Sequence, residues 1–314
     1  MIVTVTPNPS VDRTIEVREL VRGAVLRASA AWAEPGGKGV NVARALAANG
    51  AKAVAVLPTG GAEGLQLAAL LAAEGVEVVE VPLAGSTRAN VTVVEPDGTT
   101  TKLNEPGPDL SPAEGADITE AVVAAAAGAR WVVACGSLPP GLPCSYYADL
   151  VHRLAGREVR VAVDTSGAAL SAAVAAGPAL VKPNRDELAE ATGRPLHTLG
   201  DAVAAARELL RRGAGMVLAS LGRDGALLVD ADAVMHGEAP VTEPRSTVGA
   251  GDAALAGFLF AGAAGPAALV SAVAWGAAAT RMPGSRAPEP AGIDTGAVRV
   301  RTDPDLNRLL EGRH

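Results

Sequence analysis

Ser246-Thr247-Val248-Gly249-Ala250-Gly251-Asp252 sets two glycines around a small residue and closes with a carboxylate. An apolar, helix-forming run, Ala253 to Leu259, follows at once. Such a turn bares backbone N–H groups at a helix N-terminus, where the helix dipole also favours negative charge. Gly249, Ala250 and Gly251 would then cradle an anion, and Asp252 at its lip would accept a proton. Together they suit transfer of a phosphoryl group to a hydroxyl. The simpler reading is a tight loop whose Asp252 caps a helix, and the segment alone leaves both open. The GxGxxA spacing of Gly249, Gly251 and Ala254 also matches a dinucleotide fingerprint. The preceding Val241 to Ser246 is polar and broken by Pro244, however, and the next acidic residue is Glu289, too distant to hold a ribose.

A second glycine-rich helix start, Gly36-Gly37-Lys38-Gly39-Val40-Asn41, offers close backbone approach, a positive charge and an amide in the first turn. It is no Walker A loop, because Lys38 is followed by Gly39. Polar and glycine residues also gather at the ends of apolar runs, as in Asp164-Thr165, Lys182-Pro183-Asn184 and Ser220-Leu221-Gly222-Arg223-Asp224-Gly225. Open α/β sheets bind ligands at that rim.

The elements that must position these groups alternate along the chain. Ile2 to Thr6, Ala53 to Leu57, Val76 to Val81, Trp131 to Ala134, Val159 to Val163, Ala179 to Val181 and Met216 to Ala219 read as strands separated by amphipathic helices. This rhythm predicts an α/β fold with a mostly parallel central sheet. Residues 13 to 33 alternate polar and apolar, including Val25 to Ala28, and read as exposed strands. Arg88 to Val94 and Thr99 to Asn104 flank a Pro96-Asp97-Gly98 turn as a hairpin. The two pieces make a small inserted sheet, a lid of residues 13–33 and 86–104 on a body of residues 1–12, 34–85 and 105–314. Asp12 lies just past the first strand, and the tail after Thr302 reads as a short polar helix.

At 314 residues, 49% hydrophobic but only 2% aromatic, the chain can bury a large core built from Ala, Val and Leu. A formal charge of -7 argues against nucleic acid as a partner, so an anionic ligand needs local Arg and Lys residues. Met1 to Val5 lacks the basic start of a secretory signal, and no apolar run is a clear membrane span. The expectation is a cytoplasmic protein with no membrane partner, in which Cys135 and Cys144 stay reduced and serve structure. His152, His197, His236 and His314 belong to no motif and read as surface residues.

Gly36 to Asn41, Lys182-Pro183-Asn184-Arg185-Asp186-Glu187 and Thr247 to Asp252, in that order, resemble the ribokinase-like (PfkB) carbohydrate kinases. The likeness runs from Thr4 to Gly284. Thr6 to Thr14 and Thr101 to Pro108 resemble the branch that holds 1-phosphofructokinase and tagatose-6-phosphate kinase. The resemblance implies a Rossmann-like αβα sandwich with a β lid, and a homodimer formed through paired lids. It implies Asp252 as catalytic base, with the Gly249–Gly251 turn as its anion hole. Asp12, Gly37, Lys38 and Asn41 would bind the sugar, while Arg88, Asn90, Lys38 and Arg27 would grip its phosphate. ATP as co-substrate would meet Lys182, Asn184, Ser220, Gly222, Gly225, Gly249 and Gly251, with Mg²⁺ organised by Glu187. Two positions differ from the family pattern: Leu26 precedes Arg27 where Asn is usual, and Ser285 stands in place of Thr. The reaction implied is ATP-dependent phosphorylation of D-fructose 1-phosphate at carbon 6. Tagatose 6-phosphate and fructose 6-phosphate are alternative acceptors, because the fructose ring is nearly two-fold symmetric. A catalytically silent sugar-phosphate sensor on the same fold is the rival of another class.

Overall fold

The computed structural model describes residues 1–241 and 244–311. Thr242 and Glu243 of the polar segment before the glycine turn, and His314, lie outside the described residues. Ten strands form the main sheet, in the order β14-β13-β12-β11-β10-β9-β8-β1-β4-β5. These are β1 (Ile2–Val5), β4 (Ala53–Thr59), β5 (Glu77–Pro82), β8 (Trp131–Cys135), β9 (Arg160–Asp164), β10 (Leu180–Val181), β11 (Val217–Ser220), β12 (Ala226–Val229), β13 (Val234–Glu238) and β14 (Arg299–Arg301). From β5 to β11 the pairing is parallel. The last three strands turn antiparallel, an extension that the sequence reading does not contain.

Strand side chains alternate between two apolar layers. Val3 and Val5 pack with Val54 and Val56 on one face, while Ile2 packs with Ala53, Ala55 and Leu57 on the other. Helices α1 (Lys38–Ala48), α2 (Gly61–Ala73), α8 (Ala250–Phe260) and α9 (Gly265–Thr280) cover the second face. The first is covered by α3 (Pro112–Ala125), α4 (Tyr146–Leu154), α5 (Gly167–Ala175), α6 (Arg185–Thr192) and α7 (Leu199–Arg211). Alanine and glycine let α8 and α9 approach closely: a β-carbon on Gly257 would lie 2.6 Å from the Trp275 ring. A core poor in aromatics is thus filled by close helix approach rather than by large side chains.

Chain order reverses beside β1, which has β4 on one side and β8 on the other. That is the point at which α/β sheets open a crevice outside their carboxyl ends. Over it stands the small sheet, ordered β3-β2-β6-β7, from β2 (Ser10–Glu16), β3 (Ala30–Gly36), β6 (Arg88–Val94) and β7 (Thr100–Leu103). It includes Asp12, which sits on β2 opposite Glu34 and Asn90 rather than in the loop after β1. Residues 17–29 form no strand: Val25 is 95% exposed, and the alternation there belongs to a surface loop. Nor is the described tail helical. Leu309 bridges Thr198, and Arg308 pairs with Asp224 and Glu238, so the tail straps α7 to the main sheet. Among the described residues no helix is long and apolar enough to cross a membrane.

Candidate active site

Asp252 is the third residue of α8 and 7% exposed. Gly249 is the N-cap, at φ 76°, a left-handed conformation that glycine adopts without the usual Cβ penalty. No side chain caps this helix start; of its first N–H groups, that of Ala250 donates to the Thr247 carbonyl at 3.4 Å. Asp252 does not serve as the cap; its Oδ2 accepts a 2.8 Å hydrogen bond from Asn41 Nδ2 on α1. Burial, then the negative Asp164 nearby, push its carboxyl up to about 6, against the opposing pull of Lys182, Asn41 and Lys38. A carboxylate so placed is ionised at neutral pH yet basic enough to take a proton.

Behind it lies a buried ionic cluster. Asp164, at the carboxyl end of β9, is fully buried. Its Oδ1 accepts from Lys38 Nζ at 2.8 Å, and its Oδ2 lies 3.0 Å from Lys182 Nζ. Lys38 also reaches Glu187 Oε1 at 3.1 Å. Burial alone would raise the Asp164 pKa and lower that of Lys38. The opposite charges win in both, holding Asp164 below the carboxylate range and Lys38 above that of a free lysine. Lys182 is 4% exposed, and its Nζ lies 3.1 Å from where a Gly251 β-carbon would stand. The α8 turn and the Lys182 cation therefore face the same small volume.

On the lid side, Asp12 Oδ1 accepts from Ser10 Oγ at 2.7 Å and from Asn90 Nδ2 at 2.9 Å. Its carboxylate presses against Gly36 so closely that any β-carbon there would collide with it. Arg88 donates to the Asn8 carbonyl at 3.1 Å and to the Glu105 carbonyl at 2.9 Å. Its buried Nε makes no hydrogen bond among the described residues. Burial outweighs the nearby Asp12 and Glu105 and lowers the Arg88 pKa, as expected for a cation short of partners. Arg88, Asn8, Ser137, Thr165 and Ser166 line a cleft of about 560 Å³ at the crevice where chain order reverses.

Asn184 and Glu187 form a reciprocal capping box on α6. The Asn184 side chain accepts from Glu187 N at 2.9 Å, while Glu187 Oε2 accepts from Asn184 N at 2.8 Å. Ser220 N donates to the Pro183 carbonyl at 3.0 Å, so Asn184 and the Ser220–Gly225 loop lie side by side. Gly222 and Gly225 both have positive φ, and the Gly222–Asp224 turn is tied by Asp224 to Arg308 and to Glu311 N.

Two expected positions stand apart. Arg27 is exposed in the 17–29 loop, with no hydrogen bond or ion pair among the described residues. Lys38 points to Asp164 and Glu187 rather than to Arg88. His236 is no surface residue: it is 1% exposed, with Nε2 2.6 Å from the Asp224 carbonyl. Cys135 is buried and Cys144 exposed, and neither is bonded to the other. Sequence reasoning placed Asp164 and Ser137 at the strand-end rim without giving either a role, and it gave no role to Arg44.

The model of the pfkB family of carbohydrate kinases matches residues 5–291. A 1-phosphofructokinase of Rhodobacter capsulatus is 40% identical, over 97% of this chain and 99% of that protein. The ATP-dependent 6-phosphofructokinase isozyme 2 of Escherichia coli is 40% identical, over 80% of this chain and 82% of that one. The crystal structure of Escherichia coli phosphofructokinase-2 with substrates and products superposes with a TM-score of 0.87 at 37% identity. That match covers 93% of this chain and 96% of the other.

The buried cluster makes Asp164 a structural keystone. Asp164→Asn leaves two ammonium groups facing a neutral amide. It should cost on the order of 3 kcal/mol at neutral pH, the low end for breaking a buried pair. The low end applies because the Lys38 side chain is 33% exposed. Chemical denaturation of the pure variant reads this directly, and an unchanged midpoint would remove the keystone role.

Proposed function

The chain belongs to the pfkB family of carbohydrate kinases, and we propose that it transfers the γ-phosphoryl group of ATP to carbon 6 of D-fructose 1-phosphate, giving fructose 1,6-bisphosphate. The observation that carries the reading is Asp252, buried at the lip of an uncapped helix N-terminus, with its carboxyl pushed up to about 6. Asp252 takes the proton of the 6-hydroxyl as that oxygen bonds to phosphorus and the bond to the departing ADP oxygen breaks. Negative charge on the moving phosphoryl oxygens is met by the Gly249 and Gly251 N–H groups and by Lys182, the Ala250 N–H being given to the Thr247 carbonyl. A sensor needs no base at this point, so an intact Asp252 favours an enzyme.

The acceptor lies between Asp12 and Asn90 on the lid and Gly37, Asn41 and Asp252 on the body. Its own phosphate meets Arg88, a cation held beside the Asn8 and Glu105 carbonyls at the start of β6. ATP runs from the Gly249–Gly251 turn past Lys182 and Asn184 to Ser220, Gly222 and Gly225. Asp164 is fully buried between Lys38 and Lys182, so Glu187 is the carboxylate that would organise Mg²⁺, the ion being held mostly through phosphate oxygens and water. When bound, that ion neutralises charge on the transferring phosphates.

The lid works as half of a pair. Register sets Val91 and Val93 beside Thr101 and Leu103 on one face, and Leu103 is 61% exposed. A four-stranded sheet gains stability by covering such a face. A second copy of the same lid covers it with a self-complementary two-fold contact. Closing the lid over the sugar also keeps water from the phosphoryl donor.

Coupled ADP-release assays with fructose 1-phosphate, fructose 6-phosphate and tagatose 6-phosphate test the substrate. The highest kcat/KM is expected with fructose 1-phosphate. A higher value with another acceptor would reassign the enzyme, and no turnover with any would favour the sensor.

Asp252→Asn should keep both binding sites while turnover falls by about 10²–10⁴-fold, the usual worth of general-base catalysis. Because the base works ionised and burial has raised its pKa, wild-type kcat/KM should drop as pH falls through about 6. Activity sustained well below that point, or a variant that turns over at a tenth of the wild-type rate, speaks against the assignment.

Light scattering at micromolar protein should report a dimer, and Leu103→Asp should shift it to monomer. A monomeric wild type with full activity would refute the paired lid.

A further inference from the structure

Arg44 is 3% exposed and stands behind the active site rather than in it. From α1, Nε and Nη2 grip Glu74 through both carboxylate oxygens, at 2.6 and 2.8 Å. The remaining nitrogen, Nη1, faces inward and meets four acceptors. These are the Ser285 carbonyl at 3.1 Å, the Pro35 carbonyl at 3.2 Å, Ser285 Oγ at 3.3 Å and Asn41 Oδ1 at 3.4 Å. One cation thus joins β3, α1 and the loop after α9, three segments that converge on the start of α8. Ser285 is the closest neighbour of the Gly249 position, where a β-carbon would lie 3.7 Å from it.

We infer that Arg44 is a positioning residue for Asp252, acting through the amide of Asn41. A guanidinium can only donate, so it selects the Asn41 oxygen and leaves the Asn41 NH₂ pointing the other way. That NH₂ is the 2.8 Å donor to Asp252 Oδ2. The reversed amide would set N–H against N–H at Arg44 and oxygen against carboxylate at Asp252, unfavourable on both sides. Two protons on Nη1 shared among four acceptors make this steering by field and shape rather than by one short bond. The inference rests on Asp252 being the base, as proposed above.

The groups facing Asp252 are Asn41 and Lys38 from α1, Asp164 at the end of β9 and Lys182 after β10. Cys135 at the end of β8 also feels its charge, and α9 carries no ionisable side chain. Of these, Arg44 contacts only Asn41. Loss of the Arg44 contact frees the amide to turn its oxygen to Asp252, which favours the protonated acid and moves its titration to higher pH.

The test is the pH dependence of kcat/KM for fructose 1-phosphate in wild type, Arg44→Met, Arg44→Lys and Asn41→Ala, and in Arg44→Met combined with Asn41→Ala. Circular dichroism accompanies each variant to check folding. The acid limb of Arg44→Met should lie about half a pH unit or more above that of wild type, with the rate loss greatest below neutrality. Against Asn41→Ala, the same substitution should move the limb no further. If Arg44→Met does not fold, Arg44→Lys, which keeps the charge but loses the fork, should show the shift in the same direction. A folded variant whose activity falls equally at every pH, or a full shift persisting without Asn41, overturns the inference. Asp252→Asn run alongside separates the two ideas: turnover retained there removes the base, whatever the Arg44 variants do.

Discussion

A fully buried carboxylate between two ammonium groups is the constraint that orders this molecule. Asp164 has lost its water, and Lys38 and Lys182 replace it from two different elements. Uncompensated burial of such a charge costs far more than a domain's net stability. β9, the segment after β10 and the start of α1 must therefore meet in register. The large Ala-, Val- and Leu-filled layers on both sheet faces supply that convergence without contributing a charge of their own. The same cluster sets the field for its neighbour: Asp164 raises the Asp252 carboxyl while Lys182 and Lys38 restrain it. Were the lysines absent, the Asp252 carboxyl would rise further.

The body was legible in the sequence because its signals are local. Apolar runs such as Ile2 to Val5 and Trp131 to Cys135 have no polar alternative, and the glycine turns at Gly37 and Gly249 announce helix starts. The hairpin of the small sheet was legible for the same reason, since Pro96-Asp97-Gly98 leaves β6 and β7 little choice. Where the reading failed, a long-range contact decided. Residues 25–28 alternate like a strand, yet no neighbouring strand pairs with them. The tail has helix-forming residues, but Arg308 gains more from Asp224 and Glu238 than from a helical turn of its own. His236 could not be assigned without knowing that β13 lies inside an antiparallel extension.

The site divides along the same line. Asp252 and Lys38 lie in glycine-rich helix starts that stand out in the sequence, whereas Asn184 and Glu187 were named only through the family resemblance. Asp164 and Arg44 lie in no glycine turn, and their importance comes from what folding sets against them. Arg44 reads in sequence as one more charged residue on an amphipathic helix. Only the closing of Ser285 and Pro35 around it turns that face inward. Glu187 shows the reverse case: its capping role and its place beside Lys38 coexist, because one oxygen serves each. A capping reading and a functional reading of the same carboxylate were never exclusive.

As the proposed base, Asp252 sets catalysis against stability. Its folded pKa is raised above the unfolded value, so the native state binds the proton more tightly than the unfolded chain does. The stability this contributes is present in acid and is lost as pH rises through about 6, and above that point the ionised carboxylate opposes folding. Asp164 runs the other way, because its pKa is depressed; its contribution is present above the ordinary carboxylate range and lost in acid. At neutral pH, therefore, the charged Asp164 with its two lysines offsets the cost of the charged Asp252 nearby. A carboxylate kept ionised in a dry pocket needs a cation within the same fold, and the helix that carries Asp252 starts directly over Lys182.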